Sequence, residues 1–371
     1  MIDKDQSSGN LLLSEYTPKS VLSTVRTTVR RPRFPVIDFH THLTWSPGLD
    51  PGDGITLIAG PDELIPTMDA VDVRVMVNLT GGYGSGLRDA LRIHAAAHPN
   101  RFVVFTEPWW NRIAEPNYSR FQAEQIEVAH AVGARGLKVL KILGLSAREE
   151  VKAGSLIKVD DERFDPMWET AGALKMPVLI HVSDPRAFFL PVDRFNERWE
   201  ELHGHPDWSF YGGDYPGNQE LQEARRRVMA KHPNTTFVCA HGADSEDLAY
   251  VSECMDSHPN MYVDISARVN EFGRQPRASR RFFDKYQDRI VFGTDAIPYA
   301  KDYPQQVFGA DLYEIYYRFL ETEDEYFEYA PAPVPPQGRW CVHGLGLPEA
   351  VLRKVYWDNA TRLLGLEELT S

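Results

Sequence analysis

The chain of 371 residues has little cysteine, and none of it is spaced for disulfide or metal chemistry. Its three cysteines, Cys239, Cys254 and Cys341, include no C-x-x-C pair and cannot all pair with one another. That usage is typical of a reducing compartment. The first residues also lack the basic start and the long apolar stretch of a secretory signal. We therefore expect a cytoplasmic protein.

Long hydrophobic runs and an excess of positive charge are missing as well. No apolar run approaches the roughly 20 residues that a membrane-spanning helix needs. With 40 Lys and Arg against 53 Asp and Glu, the formal net charge is −13. Such a charge disfavours nucleic acid and anionic membranes as partners. The expected partner is a small-molecule substrate, and a homodimer is an assembly that the sequence leaves open.

What the sequence does have is an alternation of apolar strand-like segments with helical patterns. The eight strand-like segments are PVIDFHTH, VRVMVNLT, RFVVFTE, RGLKVLKIL, PVLIHV, TTFVCAH, NMYVDIS and RIVFGTD. This alternation predicts parallel βαβ units, and eight strands favour an α/β fold of the (β/α)8 TIM-barrel type over an open sheet. We expect residues 35–371 to form this barrel domain and residues 1–34 to be an N-terminal extension lying on it.

Three long insertions interrupt the alternation, each after a predicted strand and before its helix. They cover about residues 144–164, 183–217 and 296–346. In a TIM barrel these positions lie at the C-terminal face, where active-site loops are found. The alternative for each insertion is a loop without a role in the site, or a contact between subunits.

The segment PVIDFHTHL, residues 35–43, places two histidines at the end of the first predicted strand. Because side chains alternate along a strand, Asp38, His40 and His42 should share one face. Two neutral imidazoles side by side suit a transition metal. For this motif alone, one hydrogen-bonded core histidine and one surface histidine is the simpler interpretation.

Other strands also end on side chains that bind metals. The fifth predicted strand ends at His181, the sixth at His241 and the eighth at Asp295. The C-terminal ends of barrel strands converge on one mouth, so these residues should meet His40 and His42 there. The set as a whole predicts a metal site.

These motifs resemble the amidohydrolase superfamily, and most closely its branch that includes aminocarboxymuconate semialdehyde decarboxylase. The resemblance covers about residues 35–366 and is carried by VIDFHTHL, His181, AHG at His241, FGTD at Asp295 and the closing GLPEAVLRKVYWDNATRLLGL. It implies a (β/α)8 barrel with a divalent ion held by His40, His42, His181 and Asp295. It also implies that His241 is an acid–base group, or a ligand to a second ion.

By the same resemblance, the ion is expected to be zinc, with manganese, cobalt or iron as alternatives. Many two-metal members carry a carboxylated lysine on the fourth strand, where this chain has Lys138 and Lys141. Alternation places the two lysines on opposite faces and does not tell which one points inward. We expect one ion, with Lys141 contacting the substrate. Trp109 and Arg268, which follow the third and seventh strands, are the other candidate contacts for an aromatic carboxylate, although packing or surface roles fit them equally well.

Two enzymatic functions remain open at this stage. The first is a metal-dependent hydrolase, in which the ion activates water for attack on an ester, lactone or amide and Asp295 or His241 takes the proton. The alternative is a nonoxidative decarboxylase acting on an aromatic or unsaturated acid. The stretch AHGADSEDL, which contains His241, differs from the corresponding stretch of the decarboxylases that the chain resembles. The sequence therefore favours the hydrolase. A non-catalytic scaffold does not account for the complete set of metal-binding residues.

Overall fold

The computed structural model describes residues 11–13, 15–301 and 303–366, and eight parallel strands form its centre. The strands in chain order are β1 (Val36–Thr41), β2 (Thr44–Trp45), β3 (Thr56–Leu57), β4 (Val73–Asn78), β5 (Phe102–Val104), β6 (Leu137–Val139), β7 (Val178–Ile180), β8 (Phe237–Cys239), β9 (Met261–Asp264) and β10 (Ile290–Val291). β2 and β3 form a short antiparallel pair outside the parallel set. Each of the eight predicted segments contains one of the parallel strands.

The parallel strands form a closed barrel. One sheet has the order β1-β4-β5 and the other the order β10-β9-β8-β7-β6. A parallel bridge between Thr106 and Leu137 joins β5 to β6. On the opposite side Thr41 bridges Ala296, and the Phe39 N–H donates to the Phe292 carbonyl at 3.0 Å. The predicted (β/α)8 barrel is confirmed.

Helices surround the barrel, most of them where the sequence predicts them. They are α1 (Pro61–Ala70), α2 (Gly84–Ala90), α3 (Tyr118–Val132), α4 (Ile142–Leu145), α5 (Asp165–Ala173), α6 (Trp199–Gly204), α7 (Asn218–Lys231), α8 (Leu248–Ser257), α9 (Val269–Arg274), α10 (Pro276–Tyr286), α11 (Ala310–Glu321), α12 (Glu349–Arg353) and α13 (Asn359–Leu364). The sequence patterns did not predict α6, α9, α10 and α11, and the strand-like segment RGLKVLKIL placed the start of α4 in a strand. No described helix is long and apolar enough to span a bilayer.

Alternation along the strands separates two apolar cores. In β7, Leu179 belongs to the core inside the barrel, while Val178 and Ile180 belong to the core between strands and helices. The inner core also contains Phe39 and Phe105, whose rings meet edge to face with centroids 5.7 Å apart. These rings fill the barrel below its mouth, so the polar side chains of the strand ends lie above a packed floor.

The described part of the N-terminal extension contacts the barrel domain without forming a helix or strand. Thr27 donates from its N–H and its hydroxyl to Asp324 at 2.7 and 2.8 Å. Arg33 pairs with Glu349 at 2.7 Å. Residues 1–10 and 14 of the predicted extension, and residues 302 and 367–371 of the predicted domain, lie outside the described residues.

Candidate metal and substrate site

Two histidines and one aspartate meet at the mouth of the barrel. Asp295 Oδ1 lies 2.9 Å from His42 Nε2 and 3.2 Å from His40 Nε2. All three residues are buried, and their donor atoms are close enough to hold one ion. Gly293 makes this approach possible, since a Cβ at that position would stand 2.9 Å from the Cβ of His40.

A residue that sequence analysis did not select orients His40. Asp264, the last residue of β9, accepts a hydrogen bond from His40 Nδ1 at 2.8 Å, which leaves Nε2 with its lone pair toward the mouth. Such a carboxylate fixes the orientation of a ligating imidazole. Asp38 does not contact the imidazole. Its carboxylate accepts hydrogen bonds from the hydroxyls of Thr294 at 2.6 Å and Tyr313 at 2.8 Å, and from the backbone N–H of His40 at 3.2 Å.

The two lysines of the fourth barrel strand have different surroundings. Lys138 is fully buried, and its Nζ lies 3.3 Å from His40 Nε2. Burial lowers the pKa of Lys138 to about 8, against the opposing effect of Asp295 and Asp264. Lys141 points toward the cavity above the mouth and pairs with Asp184 at 2.7 Å. Lys138 is therefore the inward lysine.

His241 stands beside the donor group in a restrained position. Its backbone φ is +61°, the left-handed region that side chains other than glycine seldom adopt, and Asp295 has a φ of +63°. Its Nδ1 faces the carbonyl oxygen of Ser266 at 2.9 Å, and this oxygen can only accept. Nδ1 therefore carries the hydrogen and Nε2 the lone pair. Burial, together with His181 and Arg268 nearby, holds the pKa of His241 well below 6.5.

His181 lines the same cavity, with its ring centroid 4.4 Å from that of His241. Its Nε2 is buried and has no hydrogen-bond partner among the described residues, because the nearest carboxylate oxygen, of Asp184, lies 3.6 Å away. Burial lowers the pKa of His181 to about 4, so the imidazole is neutral at pH 7. A neutral, unpaired imidazole nitrogen is what a metal ligand must offer.

The donor set fits a divalent ion. Imidazole nitrogens and a carboxylate oxygen are ligands that zinc and manganese both accept. His40, His42 and Asp295 already converge, and His181 adds an unpaired nitrogen at the edge of the group. A second close group, His40 with His241 and Asp264, is accounted for by the hydrogen bonds of Asp264 and Ser266.

A cavity of about 260 Å³ opens over these residues. Aromatic side chains form much of its wall, namely Trp45, Phe188, Trp208 and Tyr303. The Trp208 and Tyr303 rings stack with centroids 5.4 Å apart, which joins the second and third insertions above the mouth. Arg268 and Lys141 supply positive charge. Arg268 donates to the carbonyl of Ala267 at 2.9 Å and forms no ion pair among the described residues.

Some features singled out from the sequence lie elsewhere. Trp109 does not line this cavity; its ring packs against Tyr83, with centroids 4.4 Å apart, and against Phe121. The insertion at 144–164 contributes Glu150, Val151 and Lys152 to a separate surface cleft. By contrast, the insertions at 183–217 and 296–346 both line the cavity over the candidate metal-binding residues.

Comparison with known proteins gives one family match and several structural neighbours. The model of the amidohydrolase family matches residues 37–366. No curated protein matches the chain. A 2,6-dihydroxybenzoate decarboxylase from Rhizobium is similar with a TM-score of 0.53 at 18% identity, covering 90% of this chain and 99% of that chain.

Two further neighbours were determined with metal ions. An amidohydrolase from Burkholderia multivorans with bound zinc has a TM-score of 0.51 at 15% identity, covering 90% of this chain and 99% of that one. A 5-carboxyvanillate decarboxylase from Novosphingobium aromaticivorans with bound manganese has a TM-score of 0.52 at 12% identity, covering 90% and 97%. At these identities the likeness shows the shared barrel fold.

Proposed function

The chain belongs to the amidohydrolase family, and from this premise we propose that it removes a carboxyl group, without oxidation, from a small aromatic or unsaturated acid. One observation carries the proposal. The cavity over the metal-binding residues combines aromatic walls with an arginine, Arg268, that has no carboxylate partner in the described structure. Aromatic walls suit a planar ring, and an arginine without a carboxylate partner suits a substrate carboxylate. The neighbours named as decarboxylases of 2,6-dihydroxybenzoate and 5-carboxyvanillate support the same substrate class.

In this proposal His40, His42, His181 and Asp295 hold one divalent ion, which we expect to be zinc, with manganese, cobalt or iron as alternatives. When bound, the ion supplies a Lewis acid that offsets negative charge on the substrate. Arg268 and Lys141 bind and orient the acid. Trp45 and Trp208 exclude water from the ring by packing on it.

We assign to His241 the transfer of the proton that replaces the lost carboxyl group. The bond between the ring carbon and the carboxylate carbon breaks, its electron pair stays on the ring carbon, and carbon dioxide leaves. The ring carbon then needs one proton, which comes from water through His241: the neutral imidazole, with its hydrogen on Nδ1, first takes a proton from water on Nε2 and then passes it to the ring carbon. A proton on Nε2 is readily transferred, because burial, with His181 and Arg268 nearby, keeps the pKa of His241 well below 6.5.

A hydrolase is the second candidate. It would use an activated water on an ester, lactone or amide, with Asp295 or His241 taking the proton. The segment AHGADSEDL favours this reading, because it departs from the decarboxylases that the sequence resembles. In the structure Asp244 of this segment pairs with Arg186 at 2.8 Å.

One experiment separates the two. Zinc- and manganese-loaded protein is incubated in D2O with aromatic acids, and separately with aryl esters, lactones and anilides. The proposal expects carbon dioxide, and a product with one deuterium at the carbon that lost the carboxylate. Hydrolysis without carbon dioxide release identifies the hydrolase. The His241→Asn protein serves as the control, since it should release no carbon dioxide while retaining the ion.

A further inference from the structure

The cavity has a second polar end, formed by a buried ion cluster that the proposed reaction does not use. Arg198, at the start of α6, is 1% exposed and pairs with Glu201 through Nη1 at 2.7 Å and with Glu271 through Nη2. Arg198 and Glu201 both line the cavity. One guanidinium therefore serves two carboxylates deep in the protein, which is costly unless something offsets the second negative charge.

Several hydrogen-bonding groups at this end have no partner among the described residues, and the buried Nε of Arg198 is one of them. Glu201 binds Arg198 through Oε2, and its Oε1 has no partner among the described residues. The buried Oε2 of Glu271 and the buried Oε1 of Gln305 are also unpaired there, and Gln305 lines the cavity. Buried acceptors are nearly always satisfied in native proteins. Glu201 Oε1 and Gln305 Oε1 both lack a donor among the described residues, and both residues line the cavity, so a ligand in the cavity can supply one.

Arg268 lines the same cavity as this cluster and as His241. Its charge adds to the burial that lowers the pKa of His241 and opposes the burial that raises the pKa of Glu201. A ligand whose carboxylate binds Arg268 beside His241 can thus extend toward Glu201. The aromatic rings of Phe188 and Trp208 line the same cavity.

We infer that Glu201, held by Arg198, is a specificity-determining residue that accepts a hydrogen bond from a hydroxyl or amino group at the end of the substrate remote from its reacting carboxylate, with Gln305 as a second acceptor. This inference rests on the proposed function, because it assumes an aromatic acid in the cavity. It adds that the acid carries a hydrogen-bond donor opposite its carboxylate.

The test measures binding by calorimetry to the full-length, zinc-loaded protein, so that it does not depend on turnover. The probes are 4-hydroxybenzoate and 4-aminobenzoate, with 4-methylbenzoate as the isostere without a donor and 2-hydroxybenzoate as the positional control. The wild type should bind one or both donor-bearing 4-substituted acids at least about tenfold more tightly than 4-methylbenzoate. In Glu201→Gln that preference should fall below about threefold, with the affinity for 4-methylbenzoate unchanged.

Glu200→Gln is the matched control, since the adjacent Glu200 pairs with Arg339 and does not line the cavity. Should Glu201→Gln fail to fold, Gln305→Leu decides, because it removes one acceptor without uncovering a charge. A wild type that binds all the acids without preferring a 4-donor overturns the inference and leaves the proposed function standing. A folded Glu201→Gln protein that keeps the preference for a 4-donor also overturns the inference and leaves the proposed function standing. If Glu201→Gln does not fold, an unchanged preference in Gln305→Leu has the same meaning. A protein that binds none of these acids overturns both.

Discussion

Asp264 holds the imidazole of His40 across 224 positions of sequence, with its Oδ2 2.8 Å from Nδ1. Its other oxygen accepts hydrogen bonds from the backbone N–H of His241 at 2.9 Å and from the hydroxyl of Ser266 at 2.5 Å. One carboxylate thus orients a proposed ligand and positions the backbone of the proposed acid–base group. Asp264, the last residue of β9, therefore supports the end of the cavity at which we propose the metal ion.

The first prediction concerns a variant without the Asp264 carboxylate. Asp264→Asn keeps the shape of the side chain but replaces one acceptor oxygen with an amide, so Nδ1 of His40 loses its charged partner. We expect the affinity for zinc to fall about 10- to 100-fold, measured by competition with a chelator. Asp256→Asn, on the surface of α8 beside Lys285, is the control. Equal zinc affinity in both variants would show that Asp264 does not support the site.

The second prediction concerns the number of ions. His40, His42 and Asp295 form one donor group with the unpaired Nε2 of His181 at its edge, and the Lys138 Nζ lies 3.3 Å from His40 Nε2. We expect elemental analysis of the purified protein to find about one divalent ion per chain. Two ions per chain, with the mass of one added carboxylate on Lys138, would contradict this prediction.

The fold was predictable from the sequence because its signal is repeated. The apolar segments, such as PVLIHV, are short, and most of them have a polar residue at or near the end and precede a helical pattern. Eight repeats leave few alternatives. The histidines were predictable for a similar reason, since His181 and His241 occupy equivalent ends of successive strands. Helix α11 was missed because it lies inside an insertion, where the βα rhythm no longer guides assignment.

The supporting residues could not be found in this way. Asp264 lies near the end of the segment NMYVDIS, and its position close to a strand end was the only available signal. Arg198 and Glu201 lie within an insertion of irregular pattern, and the pairing of Arg198 with Glu271 depends on how that loop folds back. Trp109 follows a strand as Arg268 does, yet packing against Tyr83 turns it away from the cavity.

The third prediction separates His241 from the ligands. His241→Asn should retain the ion and lose about 10²- to 10⁴-fold in activity, the usual effect of removing a positioned proton-transfer group. His181→Asn and Asp295→Asn should instead lower metal occupancy, because each weakens a bond to the ion. Metal content and rate are measured on the three variants side by side. If His241→Asn empties the site as fully as the others, His241 is a ligand and a two-metal site follows.

The last prediction concerns stability and the buried carboxyl of Glu107, which follows β5. Glu107 accepts a hydrogen bond from the Gly82 N–H at 3.1 Å, while its Oε1 is buried without a partner among the described residues. Burial raises the pKa of Glu107 from 4.5 to about 7, even though hydrogen bonds and Lys138 oppose the rise. Between these pH values the folded chain holds a proton that the unfolded chain has released. Stability should therefore fall as the pH rises through this window.

Glu107→Gln removes the ionisation while keeping an acceptor for Gly82. The variant should match the wild type near pH 4.5 and exceed it above pH 7, by on the order of 3 kcal/mol in the free energy of unfolding. Urea denaturation at pH 5 and pH 8, at a fixed zinc concentration, measures the difference. Glu124→Gln, an exposed change on α3, should show no such dependence on pH. A Glu107→Gln protein that differs from the wild type equally at both pH values would mean that Glu107 titrates alike in the folded and unfolded chain.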